Sequence, residues 1–186
     1  MVFAIMITYQ LFHIRERERV VDIINQVAGE GKFLQTEGYV ATTDWENILR
    51  KGVDLQRGRL LVVVKEDDLI VGFGRLFPIS KYRRTIGNIG LVLLPNFRYK
   101  GVGKKLLKLI VDASTIYGYE LLTADILADN FISLRLFQSC GFTEYSRRSL
   151  NLQQRVEAVE EVRVRLLLPK GVRETNVQLS NYFEAD

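Results

Sequence analysis

A chain of 186 residues, 47% hydrophobic and 26% charged, can bury one substantial core, and its length favours a single domain. No stretch approaches the roughly 18 to 20 consecutive apolar residues of a membrane span. A net charge of +4 is small for a nucleic-acid binder, and Arg15, Arg17 and Arg19 alternate with Glu16 and Glu18 as on a solvated face, as Arg163 and Arg165 alternate with apolar residues.

The single cysteine, Cys140, allows no intramolecular disulfide, which fits a reducing compartment. The apolar opening, residues 2–7, is too short for a signal peptide and lacks a basic flank. A cytoplasmic protein is expected.

In chain order, residues 9–14 read as a first strand, followed by a helix over 16–28 with Val20, Val21, Ile24 and Val27 at helical spacing. Gly29 and Gly31 end it. Residues 33–43 have no period of either kind and are expected to form a loop or an irregular helix. Asp44 is a plausible N-cap for a short helix over 45–51. Residues 60–64 and 69–77 are β-rich runs separated by the charged turn Lys65-Glu66-Asp67-Asp68, an antiparallel hairpin. A basic turn at 81–84 leads into a strand over 89–94. Pro95 stops that strand, and the turn Arg98-Tyr99-Lys100-Gly101-Val102-Gly103 opens a helix at Lys104. Val102, Leu106, Leu107, Ile110, Ala113 and Tyr117 share one face of it, leaving Lys104, Lys105, Lys108 and Asp112 toward water. Residues 121–127 read as a strand, and strand, helix, strand in this order implies a parallel pair. Asn130 caps a helix over 131–140 closed by Gly141, and residues 142–152 and 159–168 form a closing antiparallel pair. The domain is expected to span residues 1–168, leaving 169–186 as an extension with no strong period.

The turn after Pro95 is an anion cradle by composition. Two glycines one residue apart let backbone N–H groups approach a ligand, and the helix they open adds unpaired donors and a positive dipole end. It is neither of the two common phosphate loops. A Walker A sequence would need Gly at 98 and Ser or Thr at 105, where Arg98 and Lys105 stand, and a dinucleotide fingerprint would need Gly at 106, where Leu106 stands.

Leu91-x-Leu93-x-Pro95-x-x-Arg98-x-x-Gly101-x-Gly103 resembles the coenzyme-A pyrophosphate loop of the GNAT superfamily of N-acetyltransferases. A second stretch, Asn130-x-x-Ser133-x-x-Leu136-Phe137-x-x-x-Gly141-Phe142, is similar to that family's second motif. The resemblance implies an α/β fold of the acyl-CoA N-acyltransferase type: a mixed, mostly antiparallel sheet with one parallel pair and helices on both faces. It implies acetyl-CoA as the acetyl donor, with a longer acyl group left open. Main-chain groups of Leu91 and Leu93 would pair with the pantetheine arm, an N–H at Leu93 would polarise the thioester carbonyl, and Arg98, Tyr99, Lys100, Gly101, Val102, Gly103 and Lys104 would surround the pyrophosphate. Asn130 and Phe137 would meet the arm further along.

Direct transfer to an amine requires a base for the ammonium proton and benefits from an acid for the thiolate. The family resemblance places these at Asp125 and at position 137. Asp125 is unusual on its own terms, a carboxylate in an otherwise apolar or small strand; it reads either as the base or as a strand residue in a salt bridge. Phe137 cannot donate a proton, so the usual acid is missing; Tyr99, Tyr117 and Tyr145 are candidates by type alone. Cys140 and His13 have no activating or metal-binding companions and read as structural, and no metal is expected.

The acceptor is less legible. Glu37, Tyr39, Asp44, Trp45 and Glu46 suggest a wall for a cationic amine, or simply a helix start and a core tryptophan. The basic turn at 81–84 suggests instead an acceptor bearing a carboxylate, or a contact to the cofactor's 3′-phosphate. The leading expectation is acetylation of a primary amine, small-molecule or peptide, without nucleic acid or membrane and with a homodimer left open. The alternatives are an acetyltransferase of protein N-termini or lysines and a non-catalytic acyl-CoA sensor.

Overall fold

The computed structural model describes residues 6–80, 82–152 and 157–170; Lys81, the side chains of Arg83 and Arg84, and residues 171–186 lie outside them, and with them the basic-turn and C-terminal expectations.

Leu60, Leu61, Val62, Val63 and Val64 are all essentially inaccessible, which a strand achieves only when both faces of its sheet are covered. They belong to β2 (Leu60–Glu66). Its neighbours are β1 (Ile7–Leu11) and β3 (Leu69–Ser80), followed by β4 (Arg83–Leu93), β5 (Leu121–Leu127), β6 (Thr143–Leu150) and β7 (Val159–Leu167). The seven-stranded sheet has the order β1-β2-β3-β4-β5-β7-β6. Every neighbouring pair is antiparallel except β4 and β5.

One face carries α1 (Arg17–Ala28) and α2 (Thr43–Lys51), packed through Val20, Ile23, Ile24, Val27, Ile48 and Leu49 onto Leu61, Val63, Phe73 and Phe77. The other carries α3 (Val102–Ile116) and α4 (Phe131–Ser139), where Leu106, Leu107, Ile110 and Phe137 pack with Leu60, Val62, Val64 and Leu122. A mixed sheet with one parallel pair and helices on both faces is the expected architecture.

Several boundaries moved for identifiable reasons. The first strand stops at Leu11 because His13 caps a 3₁₀ turn over Ile14–Glu16, its ring accepting from Arg15 N at 3.2 Å while Glu16 accepts from His13 N at 2.8 Å. His13 is therefore a cap beyond the strand. Thr42, not Asp44, caps α2: Thr42 Oγ1 accepts from Trp45 N at 3.3 Å, and Asp44 turns to Arg59 at 2.7 Å. The α3 helix opens at Val102, two residues earlier than expected, and β3 and β4 extend to Ser80 and from Arg83 as one long hairpin.

The feature that positions the site is a parting of the sheet. β4 pairs with β5 only at Ile86, Gly87 and Asn88, opposite Leu121, Leu122 and Thr123. Beyond Asn88, β4 continues against β3 to Leu93, while β5 continues against β7 to Leu127. A gap opens between them.

Candidate active site

Alternation in an antiparallel ladder decides which β4 groups face the gap. Leu94 N donates to Val71 O at 2.9 Å, so Leu91 and Leu93 turn their main-chain groups away from β3. At the end of the strand a 3₁₀ turn over Pro95–Phe97 leads to Tyr99 at φ 62° and Gly101 at φ 81°. Among the described residues no side chain caps α3, so its first amides point out of the helix without a side-chain acceptor there. A Cβ on Gly103 would stand 3.3 Å from both Leu136 Cδ2 and Leu93 Cδ1, so glycine is what lets α3 start this close to α4 and β4.

These groups line a cleft of about 360 Å³ whose walls include Leu91, Leu93, Arg98, Tyr99, Gly101, Gly103, Lys104 and Asn130. Lys100, Val102 and Phe137 do not line it. Lys100 is exposed; Val102 is buried, its carbonyl accepting from Tyr9 Oη at 3.2 Å; Phe137 is buried edge-to-face against Phe142, 4.9 Å between centroids. Arg98 braces the cleft. Its Nε donates to Leu93 O at 2.9 Å, its two terminal nitrogens hold Glu30 at 2.8 and 2.6 Å, and its face lies 4.3 Å from the Phe33 centroid. Asn130 Oδ1 accepts from Ser133 N at 3.1 Å, which caps α4.

A second cavity, about 330 Å³, lies on the α1/α2 face. Phe33, Leu34, Leu91, Val92, Asn130 and Ser133 line both spaces, so the two meet where β4 leaves β5. The second cavity is walled by Asp125, Asn88, Arg75, Phe137, Tyr39 and Trp45 among others. Asp125 Oδ1 accepts from Arg163 Nε at 3.0 Å and Oδ2 from Asn88 Nδ2 at 3.0 Å. It is thus both a salt-bridge partner and a cavity group, and each carboxylate oxygen retains a lone pair. Its hydrogen bond raises the Arg163 pKa, holding that guanidinium charged.

Trp45 packs edge-on against Tyr39, Phe73 and Phe77, with centroids 6.2, 5.8 and 5.2 Å away. Core packing and cavity wall are one role here, not two. Glu46 receives Tyr39 Oη at 2.9 Å and Arg50 at 2.8 Å; burial first, then this bond, pushes Tyr39 up to about 12. Glu37 is exposed, and neither it nor Asp44 nor Glu46 lines either cavity.

Of the tyrosines named by type, Tyr99 lines the cofactor-side cleft but is 82% exposed, and Tyr117 and Tyr145 line neither space. Tyr145 instead carries Arg163 and Arg165, each 5.5 Å from its ring centroid. Cys140 lines neither cavity. Among the described residues no three potential metal ligands cluster. Three polar residues near this region belong to no motif in the sequence: Arg75, Asn88 and Glu161, the last fully buried and bonded to Gln35 and Arg148. Arg75 offered the same signal as Asp125, a charge in an apolar strand; what it faces depends on strand register.

A mixed seven-stranded sheet with one parallel pair and helices on both faces is the fold of solved GNAT acetyltransferases. The chain belongs to the GNAT acetyltransferase family, whose description "Acetyltransferase (GNAT) family" matches residues 19–142. No curated protein matches the sequence at a significant level. Among solved structures, an acetyltransferase of the GNAT family from Streptococcus pneumoniae aligns with TM-score 0.76 at 17% identity, over 88% of this chain and 100% of that one. A GNAT superfamily phosphinothricin acetyltransferase from Sinorhizobium meliloti, in complex with acetyl-CoA, aligns at 0.76 and 19% over 92% and 94%. A ribosomal-protein-alanine N-acetyltransferase from Brucella melitensis aligns at 0.73 and 19% over 86% and 99%. At these identities the likeness is one of fold.

Proposed function

We propose that this protein is a cytoplasmic N-acetyltransferase that moves an acetyl group from acetyl-CoA directly to a primary amine, with residues 1–168 as its domain. The observation that supports it is the meeting of the two cavities along Leu91 and Val92, one beside the glycine turn and the other beside a carboxylate. Structural neighbours solved with acetyl-CoA agree with the donor.

The residues present fit that donor. An uncapped helix start, an open Gly101 and a Gly103 that admits no Cβ without crowding make a cradle for a diphosphate. The amides of residues 99–103 would hold it, Lys104 N being already bonded to Gly101 O at 3.0 Å, and Arg98 fixes the turn from behind through Glu30 and Leu93 O. Acetyl-CoA supplies the acetyl thioester when bound. The gap-facing main chain of Leu91 would orient the arm, and the N–H of Leu93, whose own carbonyl is already held by Arg98, would meet negative charge on the thioester carbonyl oxygen without reorganisation. Asp125 accepts the proton released by the amine, with Arg163 and Asn88 fixing its rotamer. A thiol titrates near 8.5, so the thiolate can depart without a neighbouring acid, consistent with Phe137.

A small acceptor is favoured over a protein segment. The wall formed by Phe33, Leu34, Gln35, Thr36, Tyr39 and Trp45 borders a half-open space of metabolite size.

Calorimetric titration with acetyl-CoA, followed by thiol release over a panel of amines, tests the reading. Gly103→Val should weaken acetyl-CoA binding at least tenfold; unchanged affinity sinks the cradle. Asp125→Asn should retain acetyl-CoA affinity and lose about 10²- to 10⁴-fold in turnover, the span of general-base contributions. Turnover equal to wild type would leave Asp125 purely structural.

A further inference from the structure

Arg75 stands on β3 directly opposite Gly90 of β4, on the sheet face that also presents Phe73, Phe77 and Asn88. Its guanidinium lies 5.0 Å from the Phe77 ring centroid, and Nη1 donates to Asn88 O at 3.3 Å. Among the described residues Nε and Nη2 have no hydrogen-bond acceptor, yet neither is sealed off: the one buried side-chain polar atom without a partner is Thr8 Oγ1. Gly90 keeps this edge uncovered. A Cβ there would stand 3.0 Å from Nε and 3.2 Å from Cζ and Nη2.

The acids nearest in charge are Asp125 and Asp44, and each already holds its own arginine, Arg163 at 3.0 Å and Arg59 at 2.7 Å. Burial pulls Arg75 down to about 10, with those two carboxylates opposing the shift. It therefore remains charged near neutrality, half-buried and, among the described residues, without a counter-ion of its own. Nε with Nη2 is the fork that grips a carboxylate through two parallel hydrogen bonds.

We propose that Arg75 anchors a carboxylate of the acceptor, so that the substrate class is small amino acids, held as zwitterions with the carboxylate at Arg75 and the amine at Asp125. This rests on the acetyltransferase reading above. Both groups line the one cavity of about 330 Å³, one positive and one negative, separated by Asn88. A zwitterion neutralises both ends. A bare amine or an amino-acid amide would leave the half-buried cation unpaired.

The test uses the common L-amino acids paired with their C-terminal amides. Binding is read by calorimetry in the presence of CoA, and turnover separately by thiol release from acetyl-CoA. At least one amino acid should bind about 30-fold or more tightly than its amide, the lower end for deleting one partner of a hydrogen-bonded charge pair. Arg75→Met keeps the length and the packing on Phe77; it should abolish the preference by raising KM for the acid, with the amide nearly unaffected. Gly90→Ala, which crowds the guanidinium without removing it, should weaken the preference partway. Amides that bind or react as well as acids, a preference that survives in Arg75→Met, or no binding of any amino acid would overturn the proposal, and thiol release with amides would then leave the acetyltransferase reading standing. Carboxylate-selective binding with no thiol release from any amine would do the reverse, keeping the anchor and removing the enzyme.

Discussion

Asp125 and Arg75 carry the same mark, a charge inside an otherwise apolar strand, and both line the second cavity. Asp125 was legible because a motif gave it a role; Arg75 was not, because its meaning comes from Gly90 opposite and Asn88 beside it, both set by pairing register. Tyr39 illustrates how far burial changes a residue's chemistry. Its raised pKa means that the folded state retains the phenolic proton more tightly than the unfolded state, whose value is near 10. The resulting stabilisation is complete below pH 10 and is lost as pH rises through about 12. Tyr39→Phe should lack this component, so the stability difference between wild type and variant should shrink across that window. A pH-independent difference in denaturant midpoints would contradict the raised pKa of Tyr39.

The α4 helix depends on a cap that is also a wall of the site. Asn130 satisfies Ser133 N and lines both cavities, so its two roles need separating. Asn130→Ala should cost about 1 kcal/mol, which for a domain of this size lowers Tm by roughly 2 to 4 °C. Asn130→Asp keeps a capping oxygen and should recover most of that loss while still disturbing the cleft. If both variants melt alike, the cap contributes little. The helix was readable from Asn130 and Gly141, whereas α2 was misplaced at its start. Asp44 and Thr42 are both competent caps by type; tertiary structure gave Asp44 to Arg59 and left Thr42 to the helix.

For the molecule as a whole, the cleft is a discontinuity in hydrogen bonding. Three β4–β5 pairs hold the sheet at its centre, and beyond them the freed edge of β4 has no strand partner among the described residues. A ligand that pairs with that edge while its diphosphate sits on α3 ties the two halves of the sheet together. Acetyl-CoA at 100 times its dissociation constant should stabilise the native state by about 2.7 kcal/mol, a rise in Tm of roughly 5 to 10 °C. Pantetheine at the same molar concentration, which lacks the diphosphate, should shift Tm less. Equal shifts would place the affinity in the arm and not in the cradle.

By itself the sequence determined the class of fold, the helix-opening glycine turn, the caps of α4 and the carboxylate at 125. These are local: spacing, turn chemistry and periodicity act within a few residues of one another. Tertiary structure alone decided that Arg98 braces the loop through Glu30 and that Trp45 packs on Phe73 and Phe77 while it walls a second cavity. It also decided that an arginine on β3 faces a glycine on β4 with its fork uncovered. Those are contacts between residues far apart in sequence, set by how strands register and where a sheet parts, and no short window of sequence contains both partners.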